Sequence, residues 1–188
     1  GRRSTAVEDT GPGGTWRCGA MKICIVSDSH DRADPLLRAV RAAREAGAEV
    51  VVHGGDVIGA HTLRPLLAVG LPVHVVHGNN LGDTLALVRL GAESGGLITY
   101  HGGEADLSID GRRIYVTHYP HQARGMACTG DYDLVCCGHS HEASVTRQDN
   151  IAGGRTWLVD PGTVAGIGAL ASWVLGDLRE MSFELRGL

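Results

Sequence analysis

The sequence lacks several features that would identify whole classes of protein. It has no apolar run near the roughly 20 residues that span a bilayer, and no apolar signal-peptide segment precedes a small-residue cleavage site. We therefore expect a cytoplasmic protein without a membrane partner. The net charge of −4 provides no broad basic face for a nucleic-acid backbone, so a nucleic-acid partner is not expected.

Cysteine pairs are also missing. The five cysteines include no CxxC, and Cys24, Cys136 and Cys137 lie in apolar runs where thiols usually act as small hydrophobic side chains. Neither a disulfide framework nor a cysteine-based zinc site is therefore expected. No internal repeat or coiled-coil heptad is present, and 188 residues suit one domain. Residues 1–20 are rich in glycine and polar residues without periodicity, so we expect a flexible extension there and one domain over residues 21–188.

The first half of that domain alternates apolar runs with helical patterns. Runs of strand length occupy residues 22–27, 49–53 and 73–77. Asp34 and Pro35 predict a helix start, with Gly47 as its end, and residues 61–69 predict a weaker helix. This alternation is typical of βαβ units with a parallel sheet buried on both faces.

After residue 100 the pattern changes to shorter, partly alternating strands. The Asp110–Gly111 pair predicts a hairpin between residues 106–109 and 113–117, followed by a short helix over 121–128. Further strands are predicted at residues 134–137, 144–148, 156–159, 172–175 and 181–185. Parallel and antiparallel strands together indicate an α/β protein with two sheets and outer helices. Residues 81–96 and 101–106 are expected to form specificity loops.

Polar side chains gather where the predicted strands end. In open α/β sheets, ligands bind at the carboxyl ends of the strands, because the loops converge there. Five strand ends would bring two carboxylates, one amide and four imidazoles to one rim, from Asp28, His30, Asp56, Asn79, His118, His139 and His141.

This donor set favours metal binding. Nitrogen and oxygen donors without thiolate suit manganese, iron, zinc or nickel, and seven donors exceed the needs of one tetrahedral ion. We therefore expect two divalent ions, with Asp56 as the bridging carboxylate. Two such ions, two carboxylates and a hydroxide would leave about one positive charge, which attracts phosphate and favours hydrolysis of a phosphate ester.

Each short motif also has an ordinary interpretation. A DxH in a loop is mostly a cap or a turn, and GGD and GN are common turn sequences. GHSH after an apolar strand is more specific. The succession DSH, GGD, GN, TH and GHSH, each at a predicted strand end, is what favours a site.

These motifs resemble those of the calcineurin-like metallophosphoesterase superfamily. HxGDV at residues 53–57 and DPGT at 160–163 are similar to the small bacterial and archaeal phosphodiesterase branch, and the resemblance covers residues 21–188. It implies a four-layer α/β/β/α sandwich of two mixed sheets flanked by helices. It also implies a metal-dependent hydrolase acting on a small phosphate ester, with manganese expected ahead of iron, zinc or nickel.

The resemblance further implies roles for single residues. One metal would be held by Asp28, His30, Asp56 and His141, and the second by Asp56, Asn79, His118 and His139. A metal-bridging hydroxide would attack phosphorus, while both ions and Asn79 stabilise the negative oxygens. Asp56, Asn79 and His118 are thus the expected catalytic residues.

One position departs from the family pattern. Many members carry a histidine directly after GN, where it assists the leaving group, whereas this chain has Asn80. The branch tends to place an acid one residue later, where this chain has Leu81, with Asp83 displaced. His121 could replace the missing acid, and Arg124 could contact phosphate or lie on a solvated face. Without a positioned acid, good leaving groups should be favoured.

Alternatives stay open at this point. His53, His74 and His77 are predicted to be structural residues, because they lie in or at strands. The leading hypothesis is a phosphodiesterase. A phosphomonoesterase is the alternative within the enzymes, and an inactive interaction scaffold resembling the retromer subunit of this branch is the alternative outside them. A homo-oligomer is a further hypothesis.

Overall fold

Two β-sheets packed face to face form the centre of the protein in a computed structural model that describes residues 21–188. The extension predicted at residues 1–20 lies outside the described residues. One sheet has six strands in the order β11-β10-β1-β2-β3-β4, and the other has five in the order β5-β6-β7-β9-β8. The bounds of the strands are β1 Lys22–Val26, β2 Ala48–His53, β3 Val73–Val75, β4 Ile98–Tyr100, β5 Glu104–Ile109, β6 Arg112–Thr117, β7 Leu134–Cys136, β8 Ser144–Asp149, β9 Arg155–Asp160, β10 Ser172–Asp177 and β11 Ser182–Gly187.

Both sheets are mixed, as predicted. Strands β1 to β4 are parallel, β10 pairs antiparallel with β1, and the edge strand β11 pairs antiparallel with β10. In the second sheet β6, β7 and β9 are parallel, and the edge strands β5 and β8 are antiparallel to their neighbours. The parallel strands β1, β2 and β3 and the parallel strands β6 and β7 supply the ends at which the predicted ligands lie.

Alternation along the strands produces the layers. Cys24 and Val26 of β1 pack against helices, whereas Ile23 and Ile25 face the second sheet. Helices α1 (Ala33–Glu45) and α2 (Thr84–Glu93) cover the six-stranded sheet, and α3 (Pro120–Thr129) covers the five-stranded one. The predicted four-layer α/β/β/α sandwich is therefore confirmed. None of the helices within residues 21–188 has the length and apolar character needed to cross a bilayer.

Two predicted helices differ in detail. Helix α1 begins at Ala33 with Arg32 before it, so Asp34 lies in the first turn instead of capping the helix. The single helix predicted over residues 61–69 is replaced by two 3-10 helices, Ala60–Thr62 and Arg64–Ala68. Pro65 explains the break, because it has no backbone N–H for a continuous helical ladder.

The prediction of a loop over residues 81–96 is wrong. Helix α2 occupies Thr84–Glu93, and the carboxylate of Asp83 caps it by accepting a hydrogen bond from the Ala86 N–H at 2.9 Å. Leu87 and Leu90 form its buried side. Strand β4 was also not predicted, and β5 begins at Glu104, inside the second predicted loop, residues 101–106.

Candidate metal centre

All seven predicted ligands meet at one rim of the sandwich. Asp28 and His30 follow β1, Asp56 follows β2, and Asn79 follows β3. His118 comes directly after β6, and the turn after β7 carries His139 and His141. Each side chain thus starts from the carboxyl end of a parallel strand, where the sheet frame fixes the loop at its base.

The inner half of the site consists of Asp28, His30 and His141. Asp28 is fully buried, and its Oδ1 lies 3.6 Å from His30 Nε2 and 3.2 Å from His141 Nε2. The two Nε2 atoms are 3.1 Å apart. Three donor atoms from strands of both sheets therefore converge in a space suited to one ion.

The outer half consists of Asn79, His118 and His139. Asn79 Oδ1 lies 3.1 Å from His118 Nε2 and 2.9 Å from His139 Nδ1. His118 is fully buried, whereas Asn79 and His139 are exposed. This half is held by one buried imidazole and opens towards solvent.

Asp56 lies between the two halves. Its Oδ2 is 3.7 Å from His30 Nε2, and its Oδ1 is 3.5 Å from His118 Nε2. One carboxylate thus presents a separate oxygen to each half, which is the geometry required of a bridging ligand.

Asn80 orients this carboxylate. Its backbone N–H donates to Asp56 Oδ1 at 3.0 Å, and its side-chain amide donates to Oδ2 at 2.6 Å. Burial alone would raise the pKa of Asp56, but the hydrogen bonds from Asn80, aided by His118 and His30, outweigh burial and lower that pKa. The residue that replaces the family histidine therefore keeps Asp56 ionised.

The backbone at the site is unusual. Asp28, His30, Asp56, His139 and His141 all have positive φ, at 54°, 43°, 53°, 71° and 60°. Left-handed backbone is rare for residues other than glycine and tends to collect at functional sites, where surrounding contacts compensate its cost. Five of the seven predicted ligands share it, which favours a functional interpretation over ordinary turns.

Two glycines let the loops approach each other. A Cβ at Gly78 would collide with Asp56 Oδ1 and the His118 ring, and a Cβ at Gly138 would collide with Ser27 Oγ and Asp28 Oδ2. Glycine is needed before Asn79 and before His139 because only it leaves room for the neighbouring ligands.

Hydrogen bonds outside the site fix the direction of two imidazoles. His118 Nδ1 is 2.9 Å from the Gly54 carbonyl oxygen, and His141 Nδ1 is 2.7 Å from that of Ile167. A carbonyl oxygen only accepts, so each Nδ1 carries the donated hydrogen and each Nε2 is the ring atom that points into the site. This arrangement is typical of metal-ligating histidines.

The donor atoms fit cations better than they fit one another. Asp28 Oδ1 is buried and has no hydrogen-bond partner among residues 21–188, although His141 Nε2 faces it at 3.2 Å. The Ile167 carbonyl accepts the hydrogen on Nδ1 of His141, so Nε2 is the ring atom that faces this carboxylate oxygen. Buried polar atoms are otherwise nearly always satisfied, so a positive ion is the partner that this pair lacks.

The other predicted residues lie around this cluster. His121 is exposed on α3, and its ring packs at 5.7 Å from that of Tyr119, which in turn contacts the rings of His118 and His139. Arg124 is exposed and lines a different cleft, beside Ser140 and Asp160. Asp83, the displaced acid, is engaged as the cap of α2.

Sequence reasoning missed three residues that support the site. Tyr119 forms an aromatic wall beside the outer half, and its position next to His118 was the available signal. Ser140, between the two histidines of GHSH, donates to buried Asp160 at 2.7 Å and so anchors that turn. Burial raises the pKa of Asp160, and the hydrogen bonds from Ser140 and Gly162 oppose this.

Comparisons with known proteins agree with the motifs. A family model described as the calcineurin-like phosphoesterase superfamily domain matches residues 21–181. Phosphodiesterase MJ0936 of Methanocaldococcus jannaschii is 27% identical over 152 residues, which are 78% of this chain and 86% of that protein.

Solved structures share the fold. The structure of a novel archaeal phosphodiesterase has a TM-score of 0.80 at 22% identity, covering 89% of this chain and 100% of that one. Vps29 of Entamoeba histolytica, complexed with zinc, has a TM-score of 0.57 at 14% identity, covering 89% of this chain and 98% of that one. At these identities the likeness establishes the architecture alone.

Proposed function

The chain belongs to the calcineurin-like phosphoesterase superfamily, and we propose that it is a two-metal phosphodiesterase acting on small phosphodiesters. The observation that carries the proposal is the convergence of lone-pair atoms around Asp56, with one carboxylate oxygen directed to each half of the site. Phosphodiesterase MJ0936 carries that activity in its name, which supports the same substrate class here.

The proposed ligand sets follow the geometry. Asp28, His30, Asp56 and His141 would hold one divalent ion, and Asp56, Asn79, His118 and His139 the other. Bound there, divalent transition metals, with manganese expected ahead of iron, zinc or nickel, would polarise phosphate oxygens and supply an activated water as nucleophile.

The chain's own groups complete the chemistry. The Asn80 amide and N–H keep both Asp56 oxygens in place, so the carboxylate does not need to reorganise when charge builds up on phosphate. The carbonyls of Gly54 and Ile167 accept from Nδ1 of His118 and His141, and so hold each ring with its Nε2 directed into the site. The Tyr119 ring packs edge-on against the rings of His118 and His139 and so supports their orientation.

Neither residue 80 nor Asp83, two positions considered for a general acid, offers one to the leaving group. Asp83 caps α2, and Asn80 is bound to Asp56. The rate should therefore fall steeply as the leaving group becomes more basic. This is measured with a series of aryl phosphodiesters of increasing phenol pKa, and a flat dependence would show that an acid such as His121 takes part.

Metal analysis coupled to a paired assay tests the proposal. The purified protein should hold at least roughly 1.5 transition-metal ions per chain, as a two-metal site requires. It should hydrolyse a chromogenic phosphodiester faster than the matching monoester. Asp56→Asn should lose both the second equivalent of metal and the activity.

Asp149→Asn provides a matched control. Asp149, the last residue of β8, has an exposed carboxylate that pairs with Arg155 of β9. Its loss should change neither metal content nor turnover. Undiminished turnover by Asp56→Asn would remove Asp56 from its role. Faster hydrolysis of the monoester would instead favour the phosphomonoesterase alternative.

An interaction scaffold is the second candidate, and one observation favours it. Leu85 and Val88 are about half exposed, at 56% and 52%, on the outer face of α2, with Leu81 at 47% just before it. Apolar side chains grouped in this way can form a contact surface. Metal-loaded protein without turnover on any diester or monoester would support this candidate over the enzyme.

A further inference from the structure

We propose that His53 is a positioning residue that ties the two aspartate-bearing loops together beneath the metal centre. The inference rests on the proposed function, since it concerns the same site. His53 is the last residue of β2 and is fully buried, and so it cannot itself reach substrate.

Hydrogen bonds define what each ring nitrogen does. His53 Nδ1 accepts from the Gly55 N–H at 3.2 Å, because a backbone N–H only donates. The neutral ring therefore carries its hydrogen on Nε2, which donates to Ser29 Oγ at 3.0 Å. One imidazole is thus bonded to two separate loops.

Both partners are adjacent to ligands. Ser29 lies between Asp28 and His30, and Gly55 directly precedes Asp56. His53 is therefore hydrogen-bonded to the sequence neighbours of three of the four side chains proposed for one ion. Such outer partners commonly change metal affinity by about 10- to 100-fold when removed.

The loops after β1 and β2 adopt a strained backbone that contacts such as those of His53 can stabilise. Asp28, His30 and Asp56 all have positive φ, a conformation that surrounding contacts must compensate. Backbone bonds also join the loops, from Asp28 N to Gly55 O at 3.0 Å and from His30 N to Asp56 O at 2.9 Å. Because these bonds remain without His53, its loss should loosen the site without abolishing the fold.

The environment keeps the ring in the required neutral state. The pKa of His53 is lowered to about 3, chiefly by burial and also by the nearby His118, against the opposing effect of Asp56. A neutral ring can accept from Gly55 and donate to Ser29 at once, whereas a protonated ring could only donate.

Two variants test these bonds, one by removing the bond to Ser29 alone and the other by replacing the whole ring. Ser29→Ala removes the acceptor of the Nε2 hydrogen and leaves His53 in place, and His53→Gln replaces the ring. His74→Gln is the control, because His74 is a half-buried histidine of the neighbouring strand whose partner is His101. Metal dissociation constants are measured by competition with a chromogenic chelator, alongside circular dichroism and kinetics at limiting and saturating metal.

The expected result is a change in metal affinity that saturating metal repairs. Ser29→Ala and His53→Gln should raise the metal dissociation constant by about tenfold, lower kcat at limiting metal, and recover most of it at saturating metal with KM unchanged. His74→Gln should keep the wild-type dissociation constant, even where its unfolding temperature falls.

Other outcomes overturn the inference. Folded Ser29→Ala and His53→Gln proteins with wild-type metal affinity would show that His53 only fills space. If His53→Gln does not fold, Ser29→Ala alone decides, since it leaves the ring in place. If wild-type protein binds metal without turnover, the proposed activity is refuted, but the role of His53 can still be tested by metal affinity. If wild-type protein binds no metal, the proposed activity and the role of His53 are both refuted.

Discussion

The inner and outer halves of the site differ in the charge and burial of their side chains. The inner half has a fully buried carboxylate, Asp28, and two imidazoles whose side chains are only 16% and 23% exposed, those of His30 and His141. The outer half replaces the carboxylate by the neutral amide of Asn79 and has two exposed members, Asn79 and His139. Asp56 serves both.

This difference predicts that the proposed centre combines a tight metal site with a labile one. A buried carboxylate whose Oδ1 has no protein partner attracts a cation strongly, because no solvent and no competing donor satisfies it. A neutral, exposed amide contributes no charge and remains hydrated. We therefore expect the first equivalent of metal to enter the inner half and the second to bind the outer half more weakly.

Removing the inner carboxylate should have the largest effect. The His139 N–H donates to Asp28 Oδ2 at 3.0 Å. Asp28→Asn keeps an acceptor for this N–H but removes the negative charge. We expect the tight equivalent of metal to be lost and diester turnover to fall by more than about 100-fold, beyond the effect of losing an outer partner. Metal analysis and kinetics test this, and a variant that keeps tight metal would break the comparison.

Acid should weaken the protein beneath the inner half. The folded pKa of His53, about 3, lies below the unfolded value of 6.5, so the unfolded chain binds more protons between these values. Stability is fully present above pH 6.5 and is lost as pH falls towards 3. Between pH 6.5 and 4.5 the protonation of His53 alone should cost metal-free protein about 2 kcal/mol of unfolding free energy.

Denaturant unfolding across that pH range measures the loss. Burial also lowers the pKa values of His74, His77 and His101, which therefore contribute in the same direction. His53→Gln should remove only its own part and flatten the pH dependence of the free energy of unfolding. A variant with the wild-type slope would contradict this assignment.

The outer half should respond more mildly. Asn79→Ala removes an oxygen shared by His118 and His139, but leaves the inner half untouched. We expect one tight metal per chain to remain and turnover to fall by about tenfold at limiting metal, with partial recovery at high metal concentration. Equal loss of both equivalents would show that the halves are not separable.

The smallest effect should come from the turn that serves both halves. Ser140→Ala removes the bond to Asp160 and leaves His139 and His141 in the chain. The His139 backbone N–H still donates to Asp28 Oδ2, and the His141 ring still donates to the Ile167 carbonyl, so we expect only a roughly two- to threefold rise in both metal dissociation constants. Titration with two resolved binding steps checks this, and a rise in one step alone would assign the turn to one half.

Much of the fold could be predicted from local patterns, and helix α2 shows where that stops. Its sequence exposes Leu85 and Val88 and contains Gly91, so no clean polar face marks it as a helix. Its start depends on Asp83, which looked like a displaced catalytic acid until the structure showed it accepting from Ala86. An aspartate can serve either as a helix cap or as a catalytic acid, and sequence alone does not separate the two roles.

The alternation of strands and helices in the first half of the domain and the identity of the side chains at the strand ends follow from the sequence itself, because apolar periodicity and strand ends are local properties. Only tertiary packing decides that Asp28 and His141, more than a hundred residues apart, lie with Oδ1 and Nε2 at 3.2 Å. Packing likewise decides that Asn80 holds Asp56 and that His53 lies beneath two loops. These distances depend on how the two sheets pack and on the left-handed backbone of the loops between them. No single stretch of sequence specifies the packing of two sheets.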